Sequence, residues 1–203
     1  LKISQGVEGS LTIHAPSYVM EHIRADVTGN ELQVGYRSPR VVALKIHREV
    51  VSYDLKVKEL RRLRVTGVGR VVVPDLDNDR VRVDVTGSGH VVLDHLTADQ
   101  LEVVITGAGT VSVRGDVESQ SVVISGAGHY GATQLISDFA QLKVTGAGVA
   151  DISVSTDLDV VISGAGKVSY GGYPEIVKRI SGAGKLSRRR RSSRQQSNGE
   201  EHG

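Results

Sequence analysis

One short motif recurs through most of the chain at a nearly constant interval. Two glycines separated by one residue occur seven times, with spacings of 20, 20, 19, 20, 18 and 18 residues between successive copies. The pairs are Gly67/Gly69, Gly87/Gly89, Gly107/Gly109, Gly126/Gly128, Gly146/Gly148, Gly164/Gly166 and Gly182/Gly184. A period of this length is typical of repeat architectures, in which each repeat is one structural unit stacked on the previous one.

Apolar residues alternate with other residues on both sides of each glycine pair. Two residues before the first glycine, every copy has Val or Ile: Val65, Val85, Ile105, Ile124, Val144, Ile162 and Ile180. Alternation with a period of two is typical of strands that bury one face. Each repeat therefore predicts two short strands joined at the glycines. A third apolar position is expected near Leu76, Leu96, Val117, Leu135 and Tyr173.

The turn chemistry is the same at every glycine pair, which favours stacked rungs over an antiparallel meander. In a meander, neighbouring strands run in opposite directions, so the turns would alternate in chemistry. At about 3.3 Å per residue, one repeat makes a circuit of roughly 60–65 Å, enough for three short sides around a filled interior. The sequence predicts an all-β parallel β-helix, or β-solenoid. The glycine pairs are its expected corners, and a positive φ, which favours glycine, is expected at these residues.

The composition agrees with a strand-built core and excludes several chemistries. Aromatic residues make up 3% of the chain, so the core must consist of Val, Leu and Ile, which suit strands. The absence of cysteine excludes disulfides, thiolate metal sites and cysteine nucleophiles. There is no apolar run of about 18 residues, so no transmembrane segment is expected.

The ends of the sequence differ from the regular repeats. Residues 1–60 predict an N-terminal cap with irregular first rungs, continuous with the regular β-helix of residues 61–187. Strands are expected around Leu11/Ile13, Leu32/Val34, Leu44/Ile46 and Tyr53 to Val57, and a helical turn is expected between Pro16 and Arg24. Residues 188–203 contain five arginines and no apolar residue, which predicts a disordered basic tail.

The charge distribution gives no reason to expect a nucleic-acid partner. The chain has 25 Lys and Arg against 23 Asp and Glu, with a pI of about 8.9. Without the tail, 20 basic residues face 21 acidic ones, so the part expected to fold is nearly neutral. A basic patch of the kind that binds nucleic acid is therefore not indicated.

Several local motifs resemble cofactor or metal sites, but none is complete. The segment from Gly126 to Gly131 matches a dinucleotide-binding fingerprint, yet no amphipathic helix follows it to hold a pyrophosphate. The segment from Asp75 to Asp79 resembles part of a calcium loop, but Arg80 occupies the glycine position. A polar corner explains these aspartates, and a weak cation site there stays open.

Histidines and carboxylates do not form a recognisable catalytic or metal-binding pattern. His90 and His129 share the position after the glycines, in a mixed column typical of an exposed face. The aspartates considered as a catalytic cluster do not fall in one register: Asp75, Asp94, Asp99, Asp116 and Asp151. We therefore expect no enzymatic activity, no catalytic residue, no cofactor and no metal ligand.

The repeats resemble a known bacterial family. The run Leu60-x-x-Leu63-x-Val65-Thr66-Gly67-Val68-Gly69-x-Val71, followed by rungs of the type Leu-x-Val-x-Ile-Thr-Gly-Ala-Gly, is similar to the family described as "putative auto-transporter adhesin, head GIN domain". The segment from Glu8 to Val34 resembles the opening of that family, so the likeness covers about residues 1–187.

The resemblance implies a right-handed β-helix-like domain that is exported to the periplasm or the cell surface. The repeat and the absence of a convergent polar site favour a non-enzymatic role in adhesion or surface scaffolding, with a cell-surface glycan or an envelope protein as partner and an oligomer left open. Two alternatives stay open: a carbohydrate-active solenoid enzyme of the polysaccharide lyase or hydrolase type, and a polymer-forming, cytoskeleton-like scaffold.

Overall fold

Strands form most of the chain, and successive coils stack into a β-solenoid of about six turns. The structure, a computed structural model, describes residues 1–37 and 50–189. The expected strand at Leu44/Ile46 and residues 190–203 of the expected tail lie outside the described residues. The chain divides between Glu59 and Leu60 into two compact units, called here the N-terminal unit and the solenoid unit.

The described residues of the N-terminal unit form five strands and one short helix. These are β1 (Lys2–Gln5), β2 (Ser10–His14), α1 (Ser17–Met20), β3 (Ile23–Thr28), β4 (Glu31–Tyr36) and β5 (Ser52–Val57). Strand β5 pairs in parallel with β1 and antiparallel with β2, while β3 and β4 form an antiparallel pair. The helical turn expected after Pro16 is α1, which buries Val19 against Ile23.

In the solenoid unit, the structure describes eleven strands between Leu60 and Arg189. These are β6 (Arg62–Gly67), β7 (Arg70–Asp77), β8 (Arg80–Gly87), β9 (His90–Gly107), β10 (Thr110–Gly126), β11 (His129–Gly146), β12 (Val149–Ser153), β13 (Asp157–Gly164), β14 (Lys167–Gly171), β15 (Glu175–Ser181) and β16 (Lys185–Arg188). Strands of successive turns pair in parallel, and the repeat positions align, as in Gly107, Gly126 and Gly146. The predicted parallel β-helix is confirmed.

The core of this unit consists of columns of branched apolar side chains inside the coil. One column comes from the position two residues before each corner, and its members from Val85 to Ile162 are fully buried. Burial of each such side chain stabilises the fold by roughly 1.5–3 kcal/mol. Because the strands are paired in register, a side chain that points inward in one rung lies directly over its counterpart in the next.

The expected third apolar position is found in three rungs but is displaced in β10. Leu76, Leu96 and Leu135 are buried in one register, and the β10 residue that aligns with Leu96 and Leu135 is Gly115 rather than Val117. Val117 is also buried, two positions further along the strand. The pairing shifts register just before Gly115, where a side chain would meet the Leu96 carbonyl oxygen at 2.0 Å. Val117 therefore meets the core as expected, but in a different register from Leu96 and Leu135.

The expectation for Tyr173 is wrong because this side chain is 86% exposed. It follows Gly172, at φ +100°, and its ring packs under the Arg188 guanidinium, 3.5 Å from the ring centroid. Tyr173 belongs to the last described rung, in which all residues of β15 are exposed. Strand β16 extends to Arg188, the residue at which the sequence predicts the tail to begin.

Candidate functional site

An open groove crosses the strands of the solenoid unit on the side that leads into the glycine corners. Its volume is about 640 Å³. Two outward-facing columns of side chains line it, drawn from positions seven and five residues before the first glycine of each repeat. The first column is Arg80, Gln100, Ser119, Phe139 and Asp157, and the second is Arg82, Glu102, Ser121, Gln141 and Asp159.

The alternation of the strands decides which side chains line the groove. Residues between the two columns, such as Leu101 and Ala140, point into the core and are 1% and 5% exposed. Their neighbours on either side must therefore point outward, because successive side chains of a strand face opposite ways. The parallel register then places outward residues of successive rungs side by side, about 4.8 Å apart.

The chemistry of the groove changes along its length. Arg61, Arg80 and Arg82 lie at one end of it, and Asp157 and Asp159 lie at the other. Between them are amides and hydroxyls, Glu102, whose carboxylate pairs with Arg82, and Phe139, the chain's one phenylalanine, which is 43% exposed. The groove thus runs from cationic through neutral and polar to anionic, with one exposed aromatic ring.

An ion-pair network fixes the side chains beside the cationic end. The Asp84 carboxylate is 12% exposed and accepts hydrogen bonds from Arg62 Nε at 2.7 Å and from Arg82 Nε at 3.0 Å. Arg82 also pairs with Glu102 of the next rung. Burial alone would raise the pKa of Asp84, but hydrogen bonds from Arg82 and Arg62 lower it below its ordinary value. The network thus joins three successive rungs, through Arg62, the pair Arg82 and Asp84, and Glu102.

A buried polar network lies inside the coil beneath the groove. The Tyr130 hydroxyl donates to Gln120 Oε1 at 3.0 Å, and Gln120 Nε2 donates to Ser137 Oγ at 2.6 Å. Ser137 in turn donates to the Ser153 carbonyl at 2.9 Å. Burial raises the pKa of Tyr130, so its phenol stays a donor. The network satisfies polar groups that would be costly to bury alone.

At the anionic end, one carboxylate is partly paired and the other is not. Asp159 Oδ2 lies 3.6 Å from Arg179 Nη2, whereas Asp159 Oδ1 is buried without a hydrogen-bond partner in the described part of the chain. Asp157 is exposed and follows Phe139 in the same column. The exposed Asp157 oxygens are acceptors available to a ligand's hydroxyl groups.

A second row of carboxylates, which the sequence analysis did not identify, lies on the neighbouring side of the coil. It consists of Asp79, Asp99, Glu118 and Asp138, one from each of four successive rungs. The five aspartates considered from sequence differ in register, as when Asp116 aligns with Thr97 and Asp151 aligns with Gly131. Asp75 is 3.3 Å from His95, and Asp94 is 3.4 Å from Arg114.

The residues considered as metal ligands from sequence are dispersed. Asp75 and Asp77 lie in the extended strand β7 with Leu76 buried between them, so this segment is not a closed loop. His90 and His129 share a column with Thr110 between them, and His129 Nε2 lies 4.0 Å from Asp151 Oδ2. Within residues 1–37 and 50–189, no three His, Asp or Glu side chains are arranged to hold a metal ion.

The first glycine of each pair has the positive φ that the sequence pattern predicts at a corner. At Gly126, φ is +117°, and a Cβ atom would lie 2.7 Å from the Gly107 oxygen. The same conformation recurs at every first glycine: Gly67, Gly87, Gly107, Gly126, Gly146, Gly164 and Gly182. The first glycine therefore permits the turn.

The expectation of a positive φ is wrong for the second glycine of each pair. None of these residues has a positive φ: Gly69, Gly89, Gly109, Gly128, Gly148, Gly166 and Gly184. Their reason for being glycine is steric, because the backbone here passes close over the core of the preceding rung. A Cβ atom on Gly128, for example, would lie 2.5 Å from Ile105 Cγ2.

The same close approach recurs at the other second glycines after the first pair. A Cβ atom would lie 2.7 Å from Val65 at Gly89, 2.5 Å from Val85 at Gly109, 2.5 Å from Ile124 at Gly148, 2.5 Å from Val144 at Gly166 and 2.4 Å from Ile162 at Gly184. Gly69 belongs to the first pair, and a Cβ atom there would meet nothing within 4 Å. The second glycine therefore permits close stacking of rungs rather than the turn itself.

The sequence contained a usable signal for the groove. Aligning the repeats on their first glycine places Arg80, Gln100, Ser119, Phe139 and Asp157 in one outward column. The residue type in this column differs from rung to rung, so the column does not stand out as a repeated residue. An isolated phenylalanine at an outward strand position, in a chain with 3% aromatics, was the most informative departure from the pattern.

Several solved structures share this fold. A "putative adhesin" from Bacteroides fragilis NCTC 9343 is 21% identical with a TM-score of 0.79, over 92% of this chain and 85% of that chain. A "putative lipid binding protein" from Parabacteroides distasonis ATCC 8503 is 21% identical with a TM-score of 0.76, over 93% and 88%. A "putative adhesin" from Parabacteroides merdae ATCC 43184 is 21% identical with a TM-score of 0.73, over the same shares.

Sequence comparison gives a family but no characterised relative. No curated protein matches the chain. The described residues contain no helix with the length and hydropathy of a membrane span. A family model described as "putative auto-transporter adhesin, head GIN domain" matches residues 1–174, which is most of the chain. The chain therefore belongs to this family.

Proposed function

We propose that the chain is a non-enzymatic adhesion domain, exported to the cell surface or the periplasm, and that it attaches to a surface partner through the groove. The groove carries this proposal, because it combines concave shape, mixed polar chemistry and an exposed aromatic ring. Its volume is within the usual range for ligand sites, about 300–1,000 Å³. Aromatic and arginine side chains are the residue types most enriched where proteins bind partners.

The contrast between two exposed apolar side chains on β11 gives a direct test. Phe139 lies in the groove, whereas Ile136 is 63% exposed on another side of the coil and does not line it. Beads coated with the full chain are measured for attachment to immobilised mucin, fibronectin and peptidoglycan. We expect attachment to at least one surface, a loss of about tenfold with Phe139→Ala, and no change with Ile136→Ala.

Two outcomes contradict the proposal. Wild-type beads that attach to none of the surfaces argue against adhesion. Equal losses of attachment with Phe139→Ala and Ile136→Ala argue against the groove as the attachment site. Both residues are outward-facing, so both variants should keep the wild-type circular dichroism spectrum, which serves as the folding control.

The alternative of a carbohydrate-active enzyme has one observation in its favour, the pair Asp157 and Asp159 in the groove. Glycosidases need two carboxyl groups that flank the scissile bond. Asp157 and Asp159 are two residues apart on one strand face, which places them side by side rather than on opposite sides of a bound chain. We therefore propose binding without cleavage, and shortening of any bound polysaccharide during incubation would contradict it.

The polymer-forming alternative makes a different prediction about assembly. Stacking of rungs between molecules would give filaments or a mass that rises with concentration. Light scattering over a concentration series, with electron microscopy of the most concentrated sample, separates this alternative from a discrete adhesion domain.

A further inference from the structure

In the floor of the groove, only side chains are available to bind a ligand. Strands β8 to β11 and β13 pair in register through the rungs of the floor, so the backbone N–H and C=O groups there are used between rungs. A peptide cannot be recognised in the floor by adding a strand, since that mode needs a free sheet edge. The partner must instead be rich in groups that side chains can bind.

The middle of the groove offers donors and acceptors together. Gln100, Ser121 and Gln141 have no side-chain hydrogen-bond partner within the described ranges, while Ser119 Oγ donates to the Asp99 carbonyl at 3.4 Å. Amide and hydroxyl groups each both donate and accept. Sugar hydroxyls also do both, so this set of side chains complements a carbohydrate more closely than it complements an apolar ligand.

Phe139 adds an apolar surface among these polar groups. Its ring is 43% exposed, and Ser119 and Asp157 lie beside it on the adjoining rungs. A pyranose ring has a face of C–H bonds and a rim of hydroxyls. That face can pack on the aromatic ring while the rim reaches the neighbouring polar side chains, which satisfies both kinds of group at once.

The spacing of the side chains suits a chain that repeats at short intervals. Arg80, Gln100, Ser119, Phe139 and Asp157 belong to five successive rungs. With about 4.8 Å between rungs, they extend over roughly 19 Å. The rung spacing is comparable with the length of one sugar unit, so an extended oligosaccharide would present one unit to each rung.

The two ends of the groove differ in available charge. Arg82 is paired with Asp84 and Glu102, whereas the exposed Arg80 guanidinium has no ion pair or side-chain hydrogen bond to any described residue. At the other end, Asp157 likewise lacks a partner in the described chain. An anionic group is therefore favoured at Arg80 and disfavoured at Asp157, where neutral hydroxyls are suited.

We infer that the groove binds an extended oligosaccharide with an anionic sugar unit, carrying a carboxylate or a sulfate, at Arg80 and neutral units toward Asp157. This inference rests on the proposed adhesive function and specifies its ligand. Phe139 packs against a sugar ring, the amides and hydroxyls bind its substituents, and Arg80 selects the charged unit.

The test is isothermal titration calorimetry of the full chain with tetrasaccharides of three kinds: a uronate-containing, a sulfated and a neutral one. Arg80→Gln is compared with Arg64→Gln, which removes another exposed arginine that does not line the groove. We expect Arg80→Gln to weaken binding of an acidic tetrasaccharide about tenfold or more, because a hydrogen bond to a charged group is lost. Arg64→Gln should leave binding unchanged.

Phe139→Ala separates the groove from nonspecific attraction to the arginines near the end of the chain. It should weaken binding of all bound tetrasaccharides about tenfold, while Ile136→Ala has no effect. Binding that survives both Arg80→Gln and Phe139→Ala would overturn the groove as the site. Equal binding of neutral and acidic tetrasaccharides would overturn the role of Arg80, and a preference between uronate and sulfate identifies the anion.

The bead assay distinguishes failure of this inference from failure of the adhesive function. If no tetrasaccharide binds but coated beads still attach in a Phe139-dependent way, the glycan inference is overturned and adhesion is retained, with a protein partner. If neither binding nor attachment is observed, both proposals are overturned.

Discussion

At the scale of single residues, the solenoid depends on polar groups that are buried only where they find partners. Asp84 is the one charged residue among the buried ones described in the chain, and two arginines hold it. Removing one partner from such a cluster leaves a charge without compensation, which costs more than the net gain from the pair. The change in the free energy of unfolding at acidic pH should therefore depend on the protonation of Asp84.

The lowered pKa of Asp84 gives the sign of this effect. A carboxylate with a lowered pKa adds stability that is complete above its unfolded pKa of about 3.9 and is lost as the pH falls through its folded pKa. We expect Asp84→Asn to lower the free energy of unfolding by about 1–3 kcal/mol at pH 7. The difference from wild type should shrink below about pH 4. Urea unfolding measured from pH 3 to pH 7 tests this.

Asp116→Asn is the matched control, because Asp116 has no ion pair among the described residues. Its difference from wild type should stay within about 0.5 kcal/mol at pH 7. A difference between wild type and Asp84→Asn that is the same at pH 3 and pH 7 would contradict the role assigned to the arginine pairs.

At the scale of the repeated element, the two glycines of a corner serve separate physical requirements. Four positions separate these requirements cleanly. At Gly69, φ is not positive and a Cβ atom would meet nothing within 4 Å, whereas Gly67 has a φ of +83° with the same free space. At Gly128, φ is not positive but a Cβ atom would lie 2.5 Å from a neighbouring atom. Gly126 combines a positive φ with such a close contact.

The loss in free energy of unfolding caused by alanine should increase in the order Gly69, Gly67, Gly128 and Gly126. Gly69→Ala should change the free energy of unfolding by no more than about 0.5 kcal/mol. Gly67→Ala should cost about 1–2 kcal/mol through backbone strain, and Gly128→Ala about 1–3 kcal/mol through overpacking. Gly126→Ala should cost most. Thermal unfolding of the four variants measures the order, and equal losses at Gly69 and Gly126 would contradict the corner geometry.

At the scale of the whole molecule, the solenoid unit is a stack in which the strands of each rung pair with those of the adjoining rungs. The stability of such a stack is approximately the sum of rung and interface contributions. Strand β10 is paired on both sides, by β9 and β11, whereas β15 is paired only with β13 among the described strands. Local opening should therefore need less free energy at β15 than at β10.

Amide hydrogen exchange measures this difference in the free energy of local opening. We expect the amides of β15 and β16 to exchange well before those of β9 to β11, since the side chains of β15 are exposed along its length. The N-terminal strands of the same sample provide an internal reference. Uniform protection from β9 to β16 would mean that the unit opens as a single block, contrary to a stack of nearest-neighbour contacts.

Local sequence patterns alone specify the rung, the position of the turn and the inward or outward direction of most side chains. These properties follow from local patterns: a period of two within strands and a glycine pair that recurs at the same offset. The structure departs from these patterns where contact between rungs intervenes. At Gly115 a register shift displaces Val117, Tyr173 lies in the last described rung, and the second glycines are required by stacking rather than by φ.

Which polar residues lie together depends on the pairing between rungs. Arg80, Gln100, Phe139 and Asp157 come from separate repeats and share no residue type, so no local pattern links them. Their alignment depends on the register between rungs, which long-range pairing of the core strands sets. The same register joins Asp84 to its arginines across rungs. The groove exists because the stack aligns outward positions that the sequence keeps apart.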